Sequence, residues 1–201
     1  MKTTRSRSPV LWFHYPTAEA TGFTYLRRAV KLELGSLTDQ QPTGQHAVRP
    51  WVADEFPQAF EDWTCVVTAL ELQRTFWEKA TILHAEHHRP ANLPMLDRYA
   101  RHYADMARLL VHPEVAAMLA DRATCARVVA WKSRVFARQW ARYDLAQPPT
   151  FRMVPPASRI AELARDYEQM RPMFLAPPPA FDSVLAQLAQ AEATFNAPGS
   201  L

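Results

Sequence analysis

Residues Glu71–Pro90, ELQRTFWEKATILHAEHHRP, decide how the rest of the chain is read. Leu72, Phe76, Ala80 and Leu83 recur at helical spacing as an apolar stripe. Thr68, three residues before Glu71, has the form of a capping box that would open the helix. Pro90 stops it soon after His88. The tail of this helix holds His84, Glu86, His87 and His88, which raises the question of zinc. A helical metalloprotease site needs two histidines four apart, with a glutamate directly after the first. His84 and His88 have the spacing, but Glu86 lies two residues after His84 and turns to the other side of the helix. Cys65 and Cys125 stand alone, and no third ligand follows at a recognisable interval. The stretch reads as the polar end of a helix. A zinc hydrolase on His84 and His88 is an outlying alternative.

Upstream the period is two. Val10–Pro16 (VLWFHYP) is short, apolar and aromatic. Ala29–Ser36 (AVKLELGS) alternates, with Val30, Leu32 and Leu34 on one side and Lys31 and Glu33 on the other. His46–Ala53 (HAVRPWVA) is a third strand candidate, weakened by Pro50, and Trp63–Leu70 (WTCVVTAL) is a fourth. Downstream the pattern is helical. Helices are predicted from about Met95 to Val111, over Pro113–Ala120, from Arg122 to Tyr143 behind an Asp121 cap, from Ala157 to Met173, and from Phe181 to Phe195. Proline clusters in Ala146–Pro156 and Ala176–Phe181 punctuate them. The fold class is α+β, a small mixed sheet followed by a helical bundle.

The chain has 201 residues, 48% of them hydrophobic, enough for one sizeable core or two small ones. A net charge of +3 permits an anionic partner without demanding one. Two cysteines sixty residues apart make no disulfide framework, and a reducing cytoplasm is the natural compartment. The apolar run after the basic start covers only Val10 to Phe13, too short for a signal peptide, and no run approaches the roughly 18 residues of a membrane span. Four scattered glycines build no phosphate loop.

Four groups of residues could carry chemistry. Glu33, on the polar side of its strand, suits a metal site or a general base; an exposed sheet face with a Lys31–Glu33 ion pair accounts for it as well. Lys79, beside Phe76 and Trp77, is placed for phosphate or simply lays its stem on apolar surface. Arg98, Arg101 and Asp105 share a helix face, as a nucleotide-phosphate clamp or as a local Arg101–Asp105 pair. Arg127, Arg134, Arg138 and Arg142, with Trp131 and Trp140 among them, form a stripe that an RNA backbone could use, or a solvated helix face.

ELQRTFWEKATILHAEHHRP followed by Arg98–Leu109 (RYARHYADMARL) resembles the helical signature of the AbiEii/AbiGii nucleotidyltransferase toxins, the toxin halves of bacterial toxin–antitoxin and phage-defence pairs. AVKLELGS with Val48–Ala53 (VRPWVA) is similar to the family's strand pair, and Val128–Pro156 and Leu163–Leu185 to its C-terminal helices. The resemblance runs from about residue 10 to 196. It implies a nucleotidyltransferase-like sheet in residues 1–90 and a helical C-terminal portion in 91–201. It also implies transfer of a nucleotide from an NTP to an acceptor such as tRNA, with Mg²⁺ as cofactor and a cognate antitoxin as partner. By the same resemblance Glu33 is the third acid, at the metals, and Lys79 contacts NTP phosphates with Lys31, Arg98 and Arg101 nearby. Asp105 ends the second helical motif, and His102 stands where some relatives carry another aspartate.

Family members begin with a Gly-Gly-Thr or Gly-Ser segment and an Asp-x-Asp pair that holds Mg²⁺. This chain contains no Gly-Gly and no Asp-x-Asp. The expectation is a chain that starts after that motif and keeps the fold without completing a two-metal site. The alternative is a non-catalytic module that binds RNA, nucleotide or antitoxin. Self-association is expected from the sheet bed such a chain would expose, and no membrane partner is expected.

Overall fold

Aromatic and β-branched residues in alternation make Val10–His14 (β1) and Ala29–Glu33 (β2) extended, and they pair antiparallel with Trp12 opposite Lys31. The computed structural model describes residues 9–16, 27–35 and 39–198. Thr43–Val48 (β3) pairs antiparallel with Cys65–Leu70 (β4), and the one-turn helix Val52–Glu55 (α1) lies between them in the chain. Within each pair the second strand returns beside the first. The α+β class is as the sequence predicts, but in place of one mixed sheet the described residues form two separate two-stranded antiparallel sheets.

The first long helix, Leu72–His87 (α2), follows β4 directly. The expected capping box does not form. Thr68 belongs to β4, where its hydroxyl accepts from Gln45 Nε2 at 2.8 Å across the ladder. Glu71 occupies the cap position without a side-chain cap, and its backbone N–H donates to the Pro42 carbonyl. Ala100–Leu110 (α3) starts five residues later than the periodicity predicts. Arg98, at φ 61°, is in the left-handed region and breaks the helical path. The cap of α3 is supplied from outside, by Asp166 Oδ2 accepting from the Ala100 N–H at 2.7 Å.

Val115–Ala120 (α4) is the short helix expected, and Asp121 caps Arg122–Val135 (α5) by accepting from the Thr124 N–H at 2.9 Å. α5 does not run on to Tyr143. Two 3-10 turns, Gln139–Ala141 and Tyr143–Leu145, follow it, joined by Arg142 at φ 45°. Ala157–Gln169 (α6) and Phe181–Asn196 (α7) complete the fold.

The core belongs to the helices. Phe76, Trp77, Ala80 and Leu83 of α2 are fully buried with Tyr103, Met106, Val128 and Leu188. The Trp77 ring meets Phe76, Phe151 and Phe195 at centroid distances of 5.0, 5.8 and 4.7 Å. By contrast, Val10, Leu11, Trp12 and Phe13 of β1 and Val30 and Leu32 of β2 are all exposed.

Residues 151–154 form an extended strap stitched from both sides. From α2, His84 Nε2 meets the Arg142 carbonyl at 2.9 Å, while His84 Nδ1 accepts the Arg152 N–H at 3.1 Å. This pairing fixes the proton on Nε2 and uses both ring nitrogens. His87 Nδ1 donates to the Val154 carbonyl at 2.7 Å. From α7, Glu192 accepts from the Met153 and Val154 N–H groups, and Asn196 pairs with both backbone groups of Phe151. The histidine cluster is therefore a clasp between helix and strap.

Two predictions follow from this core. Trp77→Ala lowers stability by about 3–5 kcal/mol. Trp77→Phe costs less than half as much, because the buried indole N–H has no partner among the described residues. Urea unfolding of both variants checks this. The second concerns acid. Burial pushes His84 below its ordinary 6.5, and burial beside His84 and His87 pushes His88 down to about 4. Such groups hold fewer protons folded than unfolded, so their stabilisation is full above 6.5 and drains away as pH falls toward about 4. Unfolding midpoints should decline across that interval, and His88→Gln should flatten the decline.

Candidate functional site

Along α2 the residues Arg74, Glu78 and Lys79 turn away from the apolar face toward α5 and α3. Arg74 is completely buried, and four of its five guanidinium N–H groups have acceptors. Nη1 donates to Asp39 Oδ2 at 2.9 Å and to the Gln41 carbonyl at 2.8 Å, and Nε and Nη2 donate to Glu78 Oε1 at 3.1 and 2.6 Å. Lys132, reaching in from α5, donates to the Glu78 carbonyl at 2.8 Å and lies 3.0 Å from its Oε2. Arg127, one helical turn and more before Lys132, grips Asp39 with two hydrogen bonds of 2.6 and 3.0 Å. Those hydrogen bonds from Arg127, with Arg74 adding to them, hold the Asp39 carboxyl down at about 2. Burial pushes the Lys132 ammonium below the ordinary lysine range, although Glu78 opposes it.

Arg74, Arg127 and Lys132 thus set three positive charges against the two carboxylates of Asp39 and Glu78. The surplus is positive, and Lys79 lies at its edge. Lys79 Nζ donates to Asp105 Oδ2 of α3 at 2.5 Å, with both side chains partly open to solvent. His102, one turn before Asp105, is buried with Nδ1 unpartnered among the described residues. Burial first, then the Lys79 and Arg101 charges, push it down to about 4, so it stands here as a neutral imidazole. A neutral imidazole, an ammonium held by one exposed carboxylate, and a positive surplus behind them make a place where phosphate oxygens are favoured.

The sequence-derived residues divide sharply. Lys79 and Asp105 come together. Arg101 is exposed at the start of α3 and does not pair with Asp105, whose carboxylate goes to Lys79 instead. Arg98 precedes the helix, so the shared face of Arg98, Arg101 and Asp105 is not formed. Glu33 ion-pairs with Lys31 on the exposed β1–β2 ribbon and makes no hydrogen bond or ion pair with Lys79 or Asp105. The basic stripe does not exist as one helix face, because α5 ends before Arg138 and Arg142. Arg127 is committed to Asp39, Arg142 to Asp144 at 2.8 Å, and Arg134 lies over the Trp131 ring at 5.5 Å. Asp39, Arg74, Glu78 and Lys132 were not among the sequence candidates. Only the Arg74–Glu78 spacing of four carried a readable signal.

On its other side the charge knot forms the wall of a cleft of about 590 Å³. Glu78 and Lys132 line it together with Trp131, Phe136, Trp140 and Tyr143.

The carboxylates do not fit a Mg²⁺ pair. Glu33 is taken by Lys31 and Asp105 by Lys79, and among the described residues no group of three His, Cys, Asp or Glu side chains is placed to hold a metal. No helix among the described residues is long and apolar enough to cross a membrane. Neither a curated protein nor a solved structure matches the chain. The family model described as "Nucleotidyl transferase AbiEii toxin, Type IV TA system" matches residues 2–187, and the chain belongs to this family of toxin–antitoxin nucleotidyltransferases.

Proposed function

We propose that the chain supplies the nucleotide- and acceptor-holding part of a nucleotidyltransferase-type toxin, which moves a nucleotide from an NTP to an RNA acceptor, tRNA being the first to test. The observation that carries this reading is the Lys79–Asp105 pair at the edge of a positive surplus. NTP phosphates displace Asp105 from Lys79, and the surplus behind Lys79 offsets their charge. In this reading Arg101, exposed on the first turn of α3, and Arg98 before it guide the phosphates inward. Glu33 belongs to the metal-holding set, but its two companion acids are not found in this sequence as an Asp-x-Asp pair. No step is therefore assigned to Mg²⁺ on this chain. The exposed apolar ribbon β1–β2 is the surface through which a second copy, an antitoxin or the missing carboxylates would join. The cytoplasm is the compartment this reading expects.

A second reading draws on the same pairs. With Glu33 held by Lys31 and Asp105 by Lys79, the chain serves as a binding module for nucleotide, RNA or antitoxin without chemistry.

The test uses purified chain, Mg²⁺, each labelled NTP in turn and total tRNA. The chain alone transfers no label. It still binds NTP, and Lys79→Ala weakens that binding by about tenfold or more, as expected for a lost charge-assisted contact. Asp105→Asn frees Lys79 and tightens it. Label on RNA that disappears in Glu33→Ala would show a working metal site and overturn the incomplete-site reading. NTP binding indifferent to Lys79→Ala would remove Lys79 from the site.

A further inference from the structure

The cleft behind the charge knot has a composition that phosphate binding at Lys79 does not use. Trp131 at the end of α5, Phe136 just beyond it, and Trp140 and Tyr143 in the turns that follow bring four aromatic rings to one cavity of about 590 Å³. The turns exist because α5 breaks off at Val135 and the chain doubles back through the left-handed Arg142. In a continuous helix to Tyr143, Phe136, Trp140 and Tyr143 would share one face and Trp131 would lie on nearly the opposite side. Trp140 is held in place by the Arg89 guanidinium, 4.6 Å from its ring centre. Arg89 is itself fixed by two hydrogen bonds to Glu86 of 2.6 and 2.7 Å. The Trp140 wall is therefore held in place by its neighbours.

Charge decides what such walls would receive. The carboxylates lining the cleft are already neutralised: Glu86 by Arg89, and Glu78 by Arg74 and Lys132. Arg138 also lines the cleft, is exposed, and makes no side-chain hydrogen bond or ion pair among the described residues. An aromatic cavity with the unpaired Arg138 guanidinium at its rim is complementary to a flat ring carried beside a negative charge. An apolar peptide would leave that guanidinium unmatched.

We infer that this cleft seats an unstacked nucleobase, with its adjoining phosphate on Arg138. The inference rests on the proposed nucleotidyltransferase reading and deepens it. Glu78 and Lys132 belong both to the cleft and to the charge knot, and Glu78 is the residue before Lys79 on α2. Two sources carry the same chemistry: the base of the incoming NTP, and a base of a single-stranded acceptor RNA. Stacking on aromatic walls tolerates different bases, so discrimination among them at this cleft is weak.

The experiment measures binding of each NTP, of a short labelled single-stranded RNA, and of an abasic strand of the same length. It compares the full chain with Phe136→Ala, Arg138→Ala and Lys79→Ala. Phe136 is 42% exposed and Arg138 is exposed, so both variants keep the fold, which thermal melting verifies. The inference requires Phe136→Ala and Arg138→Ala each to weaken one of the two ligands by about tenfold, the size of one lost stacking or phosphate contact. If RNA is that ligand, the abasic strand binds about tenfold more weakly and Arg138→Ala lowers the salt dependence. If NTP is that ligand, the cleft holds the incoming base. Affinities for both that ignore the two variants overturn the inference. So does an apolar peptide that fills the cleft without competing with either ligand. Lys79→Ala reports separately on the phosphate site. A loss there with no effect at Phe136 or Arg138 sinks only the cleft. The reverse pattern keeps the cleft and sinks the Lys79 site.

Discussion

The structure turns on the carboxylate of Glu78, clasped between the fully buried Arg74 and the nearly buried Lys132. Charges out of water are tolerated only when each has a partner and its remaining hydrogens are used. Here that requirement dictates geometry. Arg74 needs Asp39 and the Gln41 carbonyl as well as Glu78, so the segment before β3 must lie against α2. Lys132 needs the Glu78 carbonyl, so α5 must cross α2 at that turn. One side chain thus sets where three parts of the chain meet. Their arithmetic leaves the positive edge on which Lys79 stands.

What could be read in the sequence was what local periodicity controls. The strands, the apolar stripe of α2 and the Asp121 cap all depend on residues within a few positions of one another. What could not be read depends on distant partners. Thr68 and Glu71 have the spacing of a capping box, but Thr68 finds Gln45 across a ladder and the box loses its first member. α3 is capped by Asp166, sixty-six residues away, which no inspection of its own sequence would supply. α5 ends at Val135, and the turns after it pass through a left-handed Arg142 whose carbonyl meets the distant His84.

The site was legible to the same degree. Resemblance pointed to Lys79 and Asp105, and they meet. The arginines chosen for a helical stripe were chosen on a helix that ends too soon, and most are spent on nearby acids or rings. Arg74 and Lys132 look like ordinary surface cations in the sequence. Their burial is a tertiary fact, produced by Glu78 and invisible without it.

The strap at 151–154 has a consequence for how the molecule comes into being. It satisfies the histidines of α2, yet it is itself secured by Glu192 and Asn196 of α7. A helix translated early therefore depends on one translated late. While the nascent chain is emerging, α2 has its own hydrogen bonds but lacks Phe151 and Phe195 behind Trp77, contacts of long sequence separation that form last. The surface bearing Lys79 acquires its firm backing only when α7 has left the ribosome. The finished surface around Lys79 is thus absent during most of the time the chain is being made.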